Sequence, residues 1–136
     1  MIANVGLFAL RATLGLVFLG HGAQKGLGAF GGAGFTRTTG FIGTLGLRPA
    51  KLWTALAVGG ELGAGLLFLL GFLTPLAGFL AFATMLVAAT KVHAGKGFFL
   101  QNGGYEYNLV LAVAALAVVA VGPGTFSLDY LLHLTR

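Results

Sequence analysis

Four apolar stretches, each long or nearly long enough to cross a bilayer, set the pattern of this chain. The first runs over about residues 5–24 and is interrupted only by Arg11 and His21. The second covers residues 50–71, with Glu61 as its one charge beyond the opening Lys51. The third runs over about 75–90, directly after a tight Phe72-Leu73-Thr74-Pro75 turn in which Pro75 suits a first helical turn. The fourth covers about 105–121 and ends at the breaker Gly122-Pro123-Gly124. A helix needs about 20 apolar residues to cross the hydrocarbon core. Only helices or a closed barrel satisfy their backbone in lipid, and four short segments cannot close a barrel. The pattern therefore predicts an all-α, integral membrane four-helix bundle, one transmembrane domain over residues 1–136.

The connectors add short interfacial helices. Within the glycine-rich 26–49 segment, Phe35, Thr38, Ile42 and Leu45 recur at helical spacing, so a short helix is expected there. Residues 91–104 read as a polar loop. Ser127 ahead of Leu128-Asp129-Tyr130-Leu131-Leu132 predicts a capped short helix at the membrane surface. The first stretch has no basic residue ahead of it and continues past Gly20, so it is read as a permanent span and not as a cleaved leader.

Composition agrees. Hydrophobic residues make up 57% of the chain and charged residues only 8%, against about 25% charged in soluble domains. Eight basic and three acidic side chains cannot cover a water-facing surface of 136 residues, whereas a lipid-facing one needs no such cover. The 24 glycines fit close helix approach in lipid. With no cysteine, the chain itself offers no disulfide, thiolate metal site or thiol redox chemistry.

The net charge of +5 reflects topology, and no basic stripe or motif points to nucleic acid. Lys25, Arg37, Arg48, Lys51, Lys91 and Lys96 fall in two connectors on one side of the bundle, while Arg136 stands on the other. Basic loops stay cytoplasmic. A multi-pass protein of the cytoplasmic (inner) cell membrane, with both termini on the non-cytoplasmic side, is expected.

Charges inside spans are costly and find partners or mark function. Glu61 lies near mid-span on a face of small residues. Arg11 lies in the first span, and antiparallel packing of spans that begin near 5 and 50 separates the two by roughly 6 Å in depth. An Arg11–Glu61 pair is therefore expected, as a register-fixing ion pair or as a protonatable or anion-binding site. Arg11, Gly15, Phe18, His21, Gly22 and Lys25 share about one third of the first helix's circumference. His21, Lys25 and Glu106 are expected to meet at one mouth of the bundle, with Lys91, His93, Tyr105 and Tyr107 nearby. Histidine and carboxylate can relay protons there, and tyrosine and lysine are common at membrane boundaries regardless of activity. The candidate substrate-binding or proton-relay residues are thus Arg11, Gly15, Phe18, His21, Lys25, Glu61 and Glu106. No catalytic residue is assigned. His21, His93 and His133 show no metal-ligand spacing, so no metal is expected, and the 26–34 glycines carry no nucleotide-loop pattern.

An ordered set of motifs spans nearly the whole chain. It comprises Arg11-x3-Gly15-x5-His21-Gly22-x2-Lys25, Glu61 with Gly71-x2-Thr74-Pro75, Gly103-Gly104-Tyr105-Glu106-Tyr107-Asn108, and Gly122-Pro123-Gly124 with Ser127-Leu128-Asp129. Together they resemble the DoxX family of small four-helix membrane proteins. The resemblance implies a bacterial-type cytoplasmic-membrane protein, with relatives that include small subunits of a thiosulfate–quinone oxidoreductase and anchors of stress-linked oxidoreductase complexes.

Two readings follow. In one, the chain is a quinone-interacting or anchoring subunit of a membrane oxidoreductase complex. It carries no covalently bound cofactor, and a quinone or partner subunit brings the electron carrier. In the other, it is a non-catalytic scaffold or a small-molecule- or lipid-binding, transport-like protein. The lipid bilayer is a partner in both, alongside a second copy of the chain or oxidoreductase subunits. The readings differ over the glycine face of the first span, which lines a cavity in one and is packed shut in the other.

Overall fold

The computed structural model describes residues 1–134, so the cation at Arg136 lies outside the described residues. Six α-helices carry the fold: α1 (Ile2–Leu27), α2 (Gly34–Thr44), α3 (Ala50–Leu70), α4 (Thr74–Ala88), α5 (Glu106–Val121) and α6 (Leu128–Leu131). No strand occurs among the described residues. α4 runs on through a π-turn at Ala89–His93 and a 3-10 turn at Ala94–Lys96.

Three helical runs, Ile2–Leu27, Ala50–Leu70 and Thr74–Lys96, are long and apolar enough to cross a membrane. α5 is apolar but has 16 residues, a rise of about 24 Å against a hydrocarbon core of about 30 Å. Neighbours in sequence are neighbours in space. α3 packs on α1 and α4, α5 packs on α4, and a lighter α1–α5 contact closes the bundle.

The bundle is small inside and large outside. Ala64, Ala77, Ala81 and Ala115 are fully buried at its centre, with Phe18, Phe68, Leu111 and Val118 filling the gaps. Leu16, Leu66, Val110 and Val113 point outward and are more than half exposed. In water such a surface would aggregate. In lipid, where association comes from close packing and not from hiding apolar groups, it is the expected arrangement.

The expected connector helix is α2, which buries Thr38 and Ile42. Thr38 donates to the Lys25 carbonyl (3.2 Å), and Thr39 donates to the Thr54 hydroxyl (3.0 Å). α2 thereby leans on α1 and α3 as a side wall. α6 also forms where the sequence placed it, with the Ser127 hydroxyl accepting from the Tyr130 amide at 3.2 Å. It does more than rest on a surface, because Asp129 is driven inward beneath the α3–α4 turn.

Candidate functional site

The expected Arg11–Glu61 pair does not form. Arg11 is completely buried, and its guanidinium donates to three carbonyls: Phe68 (2.6 Å), Leu69 (2.9 Å) and Phe126 (2.6 Å). The reason is helix register. Gly22 of α1 lies against Leu62 and Gly26 against Val58, so Arg11 sits level with the end of α3, about 17 Å along the axis from Glu61. Span boundaries mislead here because the two helices do not pack end to end: the Gly22–Leu62 and Gly26–Val58 contacts bring the C-terminus of α1 (Leu27) only as far as the middle of α3.

What Arg11 meets there follows from helix ends. The last four carbonyls of a helix have no intrahelical partner and carry partial negative charge. Phe68 and Leu69 belong to that last turn of α3. Across the turn, the buried Asp129 carboxylate accepts from the Leu73 amide (2.7 Å), the Thr74 amide (2.9 Å) and the Thr74 hydroxyl (2.7 Å). A cation thus closes the end of α3 and an anion closes the start of α4. Asp129 was missed as a functional position. Its signal was an acid in a short apolar helix just after the breaker.

Glu61 instead forms an ion pair with Lys25, its carboxylate 2% and the lysine 35% exposed. Oε1 takes the Lys25 ammonium, and Oε2 is buried without a hydrogen-bond partner. Both residues line a cleft of about 330 Å³ between α2, α3 and α4. Its other walls are mostly apolar: Phe41, Ile42 and Leu45; Trp53, Leu56 and Ala57; Phe79, Leu80 and Val87. Thr38, Thr84 and Lys91 add a few polar groups. This size and this mixture are those of small-molecule sites. The signals for the cleft were the Thr38–Ile42 spacing in the connector and the small face of the second span. The sequence does not say which helices leave a gap between them.

The glycine face of the first span is filled. A Cβ at Gly15 would lie 2.6 Å from Leu69 Cγ and 2.9 Å from the Gly65 carbonyl, and one at Gly22 would lie 2.8 Å from Leu62. Phe18 is 1% exposed and packs on Phe68 with ring centroids 6.5 Å apart. Arg11, Gly15 and Phe18 therefore belong to the α1–α3 interface, and neither glycine lines the cleft.

The single mouth also divides. His21 hydrogen-bonds the Tyr107 hydroxyl (3.3 Å) in a shallow groove between α1 and α5, together with Gln24 and Phe30. Glu106 accepts from the Leu100 amide (2.9 Å), and His93 meets the Gly103 carbonyl (2.6 Å); both tie down the α4–α5 loop. Of the seven candidates, the structure brings only Lys25 and Glu61 together.

Among known proteins, the DoxX family model matches residues 6–94, which include Lys25 and Glu61. An uncharacterized protein from Haemophilus influenzae is 31% identical over 86 residues, covering 63% of this chain and 57% of that protein. The chain thus spans little more than half the length of that relative. No solved structure matches.

Proposed function

The chain belongs to the DoxX family of membrane proteins, and from that premise we propose that it is the quinone-interacting or anchoring subunit of a membrane oxidoreductase complex. One observation carries the reading: an ion pair, Lys25–Glu61, with its carboxylate buried, stands in the wall of a mostly apolar cleft. A flat head group needs that combination of apolar walls and a few directed polar atoms. When bound, a quinone supplies the redox chemistry, its reduction consuming two electrons from the partner subunit and two protons. The Lys25 ammonium keeps donor capacity for a ring oxygen, and Glu61 keeps an unpaired carboxylate oxygen, Oε2, as an acceptor. Phe41, Trp53 and Phe79 offer aromatic walls.

Titrating a decyl-benzoquinone against the detergent-solubilised protein tests this. Trp53, the single tryptophan, lines the cleft, so its emission reports occupancy. Glu61→Gln is expected to weaken binding tenfold or more, while Glu106→Gln, at the start of α5 and outside the cleft, leaves it unchanged. Glu61→Gln is also expected to lower the melting temperature more than Glu106→Gln, because it leaves a lysine beside a buried uncharged amide. Unchanged affinity in Glu61→Gln would remove the site. A parent protein that binds no quinone would favour the scaffold reading, which the filled glycine face already suits.

We further propose that the chain sits in the cytoplasmic membrane with both termini outside the cytoplasm. Arg37, Arg48, Lys51, Lys91 and Lys96, in or beside the two connectors, support that orientation. The cysteine-free sequence makes the test direct. In intact cells, an impermeant maleimide is expected to label Leu132→Cys and to spare Lys51→Cys. The opposite labelling would invert the topology.

A further inference from the structure

We infer that the cleft is selective for an aromatic head group bearing a hydroxyl donor, a quinol or phenol, over the same ring carrying only acceptors. The inference rests on the quinone-site reading above and states which hydrogen-bonding form the site is built to hold.

Its basis is the unfinished hydrogen bonding of Glu61. The residue is 2% exposed, and only one of its two carboxylate oxygens has a partner. Paired with the Lys25 ammonium, the carboxylate is ionised, and an ionised carboxylate can only accept. Its free oxygen, Oε2, therefore calls for an O–H or N–H donor. Buried polar atoms are normally satisfied, and one left without a partner in a protein interior is costly. The hydroxyls around Glu61 are engaged elsewhere: that of Thr38 with the Lys25 carbonyl, that of Thr84 with the Leu80 and Ala81 carbonyls of its own helix, and that of Tyr107 with the His21 ring. Glu61 forms part of the cleft wall, and a molecule in the cleft can bring the missing donor.

The walls specify what carries that donor. Phe41, Trp53 and Phe79 come from three different helices or their flanks and present aromatic surface around the same space. Rings prefer offset or edge contacts with other rings, so an aryl hydroxyl suits the cleft better than the hydroxyl of a straight-chain alcohol. A hydrogen bond to an ionised group is worth more than a neutral one. A matched ligand lacking that hydrogen would also leave Oε2 unpaired beneath it.

The experiment compares para-nonylphenol, its methyl ether and dodecanol, all redox-inert, by Trp53 emission on the solubilised protein. The phenol is expected to bind at least tenfold more tightly than the ether, and more tightly than dodecanol. In Glu61→Gln the phenol-over-ether preference is expected to disappear. Equal affinity for phenol and ether, a preference that survives Glu61→Gln, or dodecanol binding as tightly as the phenol would each overturn the inference. If Glu61→Gln fails to fold, the parent's phenol-to-ether ratio decides alone. Should the decyl-benzoquinone bind while phenol and ether do not differ, only this selectivity falls. Should none of the ligands bind, the quinone-site reading falls with it.

Discussion

Asp129→Ala is expected to be among the most destabilising single changes in this protein, lowering stability by about 3 kcal/mol. The carboxylate is 1% exposed and holds three donors, the Leu73 and Thr74 amides and the Thr74 hydroxyl, from a position 55 or 56 residues away in sequence. It therefore caps α4 from outside the helix, where negative charge also complements the helix dipole. The turn it grips is strained: Leu73 sits at φ 46°, a left-handed conformation uncommon for a residue with a branched side chain. Alanine removes the acceptors and leaves two amides pointing into a buried site. It also leaves the buried Arg11 cation without its nearby counter-charge. Asp129→Asn keeps one oxygen acceptor and is expected to lose less than Asp129→Ala. Melting in detergent, followed by circular dichroism, measures both. An Asp129→Ala protein that melts with the parent would show that the α3–α4 turn holds itself.

Gly65→Ala is the second, with an expected loss of about 3 kcal/mol, at the upper end of the range for overpacking. An added Cβ would sit 2.6 Å from the Leu19 amide nitrogen and 2.8 Å from the Gly15 carbonyl oxygen. Both are backbone atoms, so no rotamer change relieves the contact. α1 and α3 would have to separate along the most extensive helix–helix interface of the bundle. In lipid that interface is held by close packing, which a small gap weakens steeply. Gly59→Ala on the same helix is the control. Nothing lies within 4 Å of its added Cβ, and alanine's better helix propensity should raise stability by about 0.5–1 kcal/mol. Opposite signs for these two glycines, read from melting midpoints, are the expected result. A Gly65→Ala protein as stable as the parent would mean that the helices do not meet at this register.

The same contacts close the glycine face of α1 to any ligand. Gly15→Leu would drive a side chain into Leu69 and the Gly65 carbonyl. It would report on helix packing and not on ligand space. The residues that report on ligand space are those of the cleft.

The existence, order and approximate limits of the helices were legible in the sequence, because they depend on local properties. An apolar run of sufficient length has no alternative in lipid but to satisfy its own backbone as a helix. Proline and glycine at 75 and 122–124 marked ends that the structure keeps. α2 and α6 were legible for similar reasons, the first from its apolar spacing and the second from the Ser127 cap. Partner choice was not. Whether Arg11 or Lys25 meets Glu61 depends on where α1 stops against α3, and that register is set by which small residues abut. A shift of about four helical turns exchanges one cation for the other while the composition of both helices stays the same. Asp129's role shows the same limit: a cap read along the chain is found within a few residues, whereas this one arrives only when the last helix folds back under the α3–α4 turn. The cleft, too, is tertiary. Lys25, Glu61 and Trp53 look unremarkable one at a time, and they face a common space only because α2 stands away from α4 while leaning on α1 and α3.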